Sequence, residues 1–178
     1  WNQLGEDIDG EAENDESGSS VSLSADGSIV AIGAPYNDGN GTTSGHVRLY
    51  QWDGAAWNQM GEDIDGEAEW DEYGHSVSLS ADGSIVAIGA PYADYTDIAP
   101  HVMNSGHVRL YQWDGAAWNQ LGEDIDGEAE NDESGSSVSL SADGSIVAIG
   151  AKENDGNGPH TGHVRLYEWN GTAWNQLG

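Results

Sequence analysis

The chain has 178 residues, 32 acidic against 4 basic, a formal net charge of −28, and 37% hydrophobic residues. That length suits one domain or two small ones. The charge repels phosphate backbones and anionic lipid, which argues against nucleic-acid binding and a membrane-surface role. No apolar run approaches the ~20 residues of a membrane helix, so membrane insertion is not expected. With no Cys, disulfides, thiolate zinc sites and a Cys nucleophile are excluded. The acids are clustered, with regular apolar segments between them, which argues against disorder.

In chain order, the string WNQ(L/M)GEDIDGEAE begins at Trp1, Trp57 and Trp118, and WNQLG returns at Trp174. This gives units at 1–56, 57–117 and 118–173, with 174–178 starting a fourth as an outer strand. Units one and three differ at eight positions, and unit two carries a five-residue insertion after GAPY. The chain opens in the middle of a repeat, as an excised segment would.

Each unit reads as four short strands. In the first, Ser20–Ser24 alternates and Ala25-Asp26-Gly27 turns. Ser28–Ala34 is a near-continuous apolar run that suits a strand covered on both faces. His46–Trp52 alternates, Asp53-Gly54 turns, and Ala56–Met60 follows. Helical periodicity is absent. The expected fold is all-β: tandem four-stranded antiparallel blades of a β-propeller, each sheet stabilised by its neighbours. Three blades do not close a ring. Self-association into a six-bladed homodimer, completion by a longer parent chain, or an open array or filament are the alternatives.

The run SGSSVSLSADGSIVAIGAPYNDGNG…SGHVRLY resembles an FG-GAP blade of the integrin-α type. It carries Gly18, Gly33-Ala34-Pro35 and Gly45–Tyr50. Unit two repeats them as Gly74, Gly89-Ala90-Pro91 and Gly106–Tyr111. Unit three has Gly135, Gly150-Ala151 and Gly162–Tyr167, with Lys152 in place of the proline. The wording is also similar to tandem repeats in secreted proteins of marine bacteria and algae, which implies a secreted or cell-surface location. The family's calcium loop, expected between the first two strands, is shortened here to Ala25–Ser28 and is not carried over.

The acids concentrate in three strand D-to-A connections, Glu6–Glu16, Glu62–Glu72 and Glu123–Glu133, with seven acids in each. Alternating strand direction puts these connections on one face with Asn37–Gly41, Asn154–Gly158 and the insertion. Calcium takes six to eight oxygens from such loops. Candidate metal ligands are Asp7, Asp9, Asp15, Asp38 and Asn40; Asp63, Asp65 and Asp71; and Asp124, Asp126, Asp132, Asp155 and Asn157. The same acids read equally as a solvated, solubilising face.

The repeated His-x-Arg at His46, His107 and His163 reads as structural, its arginines pairing with carboxylates or carbonyls between blades. The tryptophan pairs read as cross-strand packing. Unit two alone has Trp70, Tyr73 and His75, with Tyr95, His101 and Met103 in its longer loop. These form a candidate glycan platform, or local filling around the insertion. No G-x-S-x-G, H-E-x-x-H or phosphate loop occurs. The leading functional expectation is a non-enzymatic secreted or cell-surface module with a structural or adhesive role, supported by calcium. A lectin-like glycan-binding propeller is second, and a polysaccharide-active enzyme is last.

Overall fold

In a computed structural model the described residues are 1–94 and 103–178, and among them all regular structure is β. Blade one holds β1 (Ser20–Leu23), β2 (Ile29–Ala34), β3 (His46–Trp52), β4 (Trp57–Gln59) and β5 (Ile64–Asp65). Blade two holds β6 (Ser76–Leu79), β7 (Ile85–Ala90), β8 (His107–Trp113), β9 (Trp118–Gln120) and β10 (Ile125–Asp126). Blade three holds β11 (Ser134–Leu140), β12 (Ile146–Ala151), β13 (His163–Trp169) and β14 (Trp174–Gln176). The strands pair antiparallel, and the first four of each blade form a meander in sequence order. The WNQ strings at Trp57, Trp118 and Trp174 are thus the outer strands of the preceding sheets. Among the described residues no helix is long and apolar enough to cross a membrane.

The turns follow from local chemistry. Gly27 takes φ +71°, and one Asp26 oxygen accepts from the Ser28 amide at 2.9 Å and from the Ser24 and Ser28 hydroxyls. Those donors, the Ser28 amide foremost, hold the Asp26 carboxyl down at about 2. The loop is a closed turn, with its carboxylate already occupied. At the outer hairpin, Asp53 caps the Ala55 and Ala56 amides, and the Trp52 and Trp57 rings lie 5.4 Å apart.

One feature of the edge departs from four simple strands. The outer strand of blades one and two is split. After β4 the chain turns at Gly61 (φ +77°), and β5 then resumes pairing with β3 through Val47↔Ile64 and His46↔Asp65. A Cβ at Gly61 would come within 2.9 Å of the Trp113 ring, so this break in the strand needs glycine. Val108↔Ile125 and His107↔Asp126 repeat the arrangement in blade two.

Register sorts each sheet into two faces. In blade one Val21, Leu23, Val30, Ile32, Arg48 and Tyr50 point one way, and Ile29, Ala31, Val47 and Leu49 the other. The second face of blade one packs on the first face of blade two, joining Val47 and Leu49 to Val77, Leu79, Val86 and Ile88. Blade two repeats this on blade three through Val108, Leu110, Val147 and Ile149. Each buried Val or Leu contributes roughly 1.5–3 kcal/mol. Glycine lets the backbones meet: a Cβ on Gly33 would lie 2.1 Å from the Gly74 carbonyl oxygen, and one on Gly89 would lie 2.2 Å from that of Gly135.

Candidate functional site

The acidic connections and the loops between the second and third strands come together at one end of the stack. Asp15 is buried and accepts from the Asn37 side-chain amide at 2.8 Å and from the Ala12 amide at 3.2 Å. Asp132 and Asn154 repeat this at 2.8 Å. Asp38 accepts from the Thr43 amide and Asp155 from the His160 amide, and the Asn40 side chain donates to the Gly66 carbonyl. Asp7 accepts from Gln3. Asp9 offers its backbone carbonyl to Arg48 at 2.7 Å, and Asn157 is exposed. Most of the predicted oxygen ligands are therefore tied into loop-closing hydrogen bonds.

Two groups converge differently. Among the described residues, Glu11, His46 and Asp63 place one ligand atom each within 4.8 Å of one another, as do His107, Asp124 and Asp126. His46 is buried, with Nδ1 3.7 Å from Asp63 and 4.0 Å from Glu11. Asp65 lies next to this group, and burial, then Asp63, raises its carboxyl. Sequence reading assigned these histidines a structural role. The signal that points to them is position: each heads the strand that starts on the acidic face.

The two groups differ in their fit to a cation. In the second, Arg109 forks onto Asp124 at 2.8 and 2.6 Å and reaches Glu67 at 2.7 Å. Burial alone would raise Asp124, but the guanidinium outweighs it and holds the carboxyl down. That cation already occupies the carboxylate. In the first group Arg48 lies 3.5 Å from one Glu11 oxygen, and the other faces His46. The Glu11–His46–Asp63 group is thus the better match to a divalent ion, and its imidazole suits zinc-like ions better than calcium.

Blade two differs from its neighbours around Tyr73. This ring is fully buried and meets His107 edge-on, so it is removed from any exposed platform. His75 packs on Tyr92 and lies 3.2 Å from Glu72, while Trp70 is exposed. Tyr95 and His101 lie outside the described residues. Tyr73 replaces Ser17 and Ser134, which contact Arg48 and Arg165 at 3.5 and 3.4 Å. Ala93 replaces Asn37 and Asn154, so Asp71 has no amide side chain beside it, and burial pushes its carboxyl up to about 6. Burial also pushes His107 down to about 4. Asp71, His107, Arg109, Asp124 and Glu67 line an open cleft of about 700 Å³.

Residues 8–50 match the family model described as the FG-GAP repeat. No curated protein matches the sequence. Among solved structures the chain is similar to a putative 6-phosphogluconolactonase from Bacteroides uniformis ATCC 8492. The identity is 13% and the TM-score 0.58, over 89% of this chain and 39% of that one. It is also similar to the tricorn protease, with 8% identity and a TM-score of 0.41, over 83% of this chain and 13% of that one. The chain spans about two fifths of the first of these structures, and that likeness bears on the fold alone. Unit one matches the FG-GAP repeat, its strands, turns and glycines recur in units two and three, and the three antiparallel sheets are those of a partial β-propeller.

Proposed function

We propose that this chain is a non-enzymatic, secreted or cell-surface repeat module with a structural or adhesive role, supported by divalent cations along its acidic rim. The observation that carries this is recurrence. The same acidic connection returns with each blade and sets carboxylates beside the histidine that heads the third strand. A repeated acidic rim suits multivalent binding, whereas catalysis needs one asymmetric constellation. Calcium would use the carboxylates of the rim, and a zinc-like ion the Glu11–His46–Asp63 group. The test is thermal unfolding with calcium, and separately zinc, against sodium chloride at matched ionic strength. The expected result is a higher Tm with at least one divalent ion, with the zinc increment lost in His46→Ala. Superimposable curves in all three salts would remove cation support.

A second reading, lectin-like glycan binding, is favoured by the blade-two cleft with exposed Trp70 in the connection that borders it. An aromatic face beside carboxylates can stack and hydrogen-bond a sugar ring. Glycan-array binding that Trp70→Ala abolishes would support it. An array signal unchanged by that substitution would not.

A further inference from the structure

We infer that copies of this chain dock head to tail, the open face of blade three in one copy seating on the open face of blade one in the next. The two inner interfaces supply the template. Val21 and Leu23 hold the places in blade one that Val77 and Leu79 hold in blade two, yet they are exposed. Val164 and Leu166 likewise hold the places of the buried pairs Val47/Leu49 and Val108/Leu110. One end of the stack is thus the mate of the other, and no new kind of contact is required.

Three further observations fit the same occupant. Gly33 and Gly89 are each approached by a backbone carbonyl of the next blade, whereas the three atoms nearest to a Cβ on Gly150 belong to Ser137 of its own blade. Gly18 of a second copy would fill that place as Gly74 and Gly135 do. Next, Ile64–Asp65 and Ile125–Asp126 pair with the third strands of the preceding blades. The matching Ile8–Asp9 lies in no strand, and among the described residues β13 pairs with β12 and β14 alone. Ile8–Asp9 of a second copy would extend that sheet beside His163 and Val164, bringing its Asp7 to the Glu128–His163 pair as Asp63 comes to Glu11–His46. Finally, Ser20 and Ser76 donate across to the Gly74 and Gly135 carbonyls, and Leu79 and Leu140 to the Ser22 and Ser78 hydroxyls. Ser137 and Ser139 at one end, and Gly18 and Leu23 at the other, carry the same groups.

The N-terminal WNQLG is redundant in this arrangement. The Leu4 carbonyl accepts from the Trp57 indole as Met60 and Leu121 accept from Trp118 and Trp174. The Leu177 carbonyl of the second copy would take that role, and residues 1–5 would move aside. A contact of this heterologous kind closes a ring of two chains when the geometry meets, and otherwise extends into a filament.

The experiment is sedimentation velocity on the 178-residue chain over a wide concentration range. The expected species is about twice the chain mass of 18.8 kDa, or a concentration-dependent series above it. Val21→Asp and Leu166→Asp alter side chains that are exposed in one chain, so at concentrations where the wild type is monomeric each variant should keep its circular dichroism and melting curve. Each alone should be monomeric, because every contact would need the end that is blocked. Mixed, the free tail of Val21→Asp should meet the free head of Leu166→Asp and give a 1:1 heterodimer. Removal of residues 1–5 should shift assembly to lower concentration. A wild-type chain monomeric up to the millimolar range, as expected if these faces await a different partner, would overturn the inference. So would an unchanged assembly in both variants.

Discussion

The inner and outer faces of the stack carry the same residues in opposite circumstances. Val47 and Leu49 are 0% and 1% exposed, whereas Val164 and Leu166, their counterparts in blade three, are 62% and 42% exposed. Val77 and Leu79 are 8% and 7% exposed, against 63% and 60% for Val21 and Leu23. Local pattern therefore sets which side chains share a face, and a neighbour decides whether that face is core. Stability in such an array belongs to interfaces as much as to blades.

The sharpest way to break this comparison is a matched pair of truncations. Leu110→Ala opens a cavity between blades two and three and is expected to cost about 2–5 kcal/mol. Leu166→Ala, at the same strand position in blade three, should change the stability of a single chain by no more than about 0.5 kcal/mol. Urea unfolding at low protein concentration measures both. Equal costs would mean that the two faces are not different in solution.

A second contrast separates blade two from blades one and three. Asp15 and Asp132 each have an asparagine amide at 2.8 Å, but Asp71 faces Ala93 at that position. The Asp71 carboxyl titrates near 6 in the folded chain, above its ordinary 3.8, because burial disfavours the charge. The folded state then binds more protons than the unfolded state between those values, so this group makes stability fall as pH rises from about 4 to about 6. Ala93→Asn restores the donor. It should stabilise the protein at pH 7 by about 1–3 kcal/mol, with little gain at pH 4. His107, held neutral by burial at about 4, acts oppositely, losing stability as pH falls from 6.5, and is common to both proteins being compared. Unfolding free energies measured from pH 4 to pH 8 would show the difference, and a pH-independent increment would refute the assignment.

The smallest expected effect is at Lys152, which stands where the other two units have proline. Its ammonium lies 2.8 Å from Glu133 on a half-exposed surface. Lys152→Ala should shift stability by less than about 1 kcal/mol, and less still in high salt. A larger loss would give this ion pair a role the other units do not have.

Much of the fold was legible in the sequence because repetition amplifies weak local signals. His46–Trp52 runs to its expected bounds, and the Asp26-Gly27 and Asp53-Gly54 turns form as their chemistry dictates. The split outer strand was not legible: Ile64–Asp65 is two residues long and exists only because β3 offers an edge at that height. The site was legible as a face but not as contacts. The acids were expected on one face, and two groups, Glu11 with Asp63 and Asp124 with Asp126, converge on a histidine. Which of them close loops, as Asp15 and Asp38 do, and which meet a histidine, as Asp63 does, depends on distances across blades. Trp70 and Tyr73 are only three residues apart, yet one is exposed and the other fully buried.

By itself the sequence determined the strand pattern, the turns, the repeat and the acidic rim, because these depend on neighbours along the chain and on side-chain type. Tertiary structure alone decided that Arg109 forks onto Asp124 while Arg48 and Arg165 reach backbone carbonyls, that Asp71 is buried with only the Ala68 backbone amide as donor, and that two apolar faces stand open. Those outcomes depend on groups some 15 to 42 residues apart meeting at hydrogen-bond distance, and on which blade stands beside which.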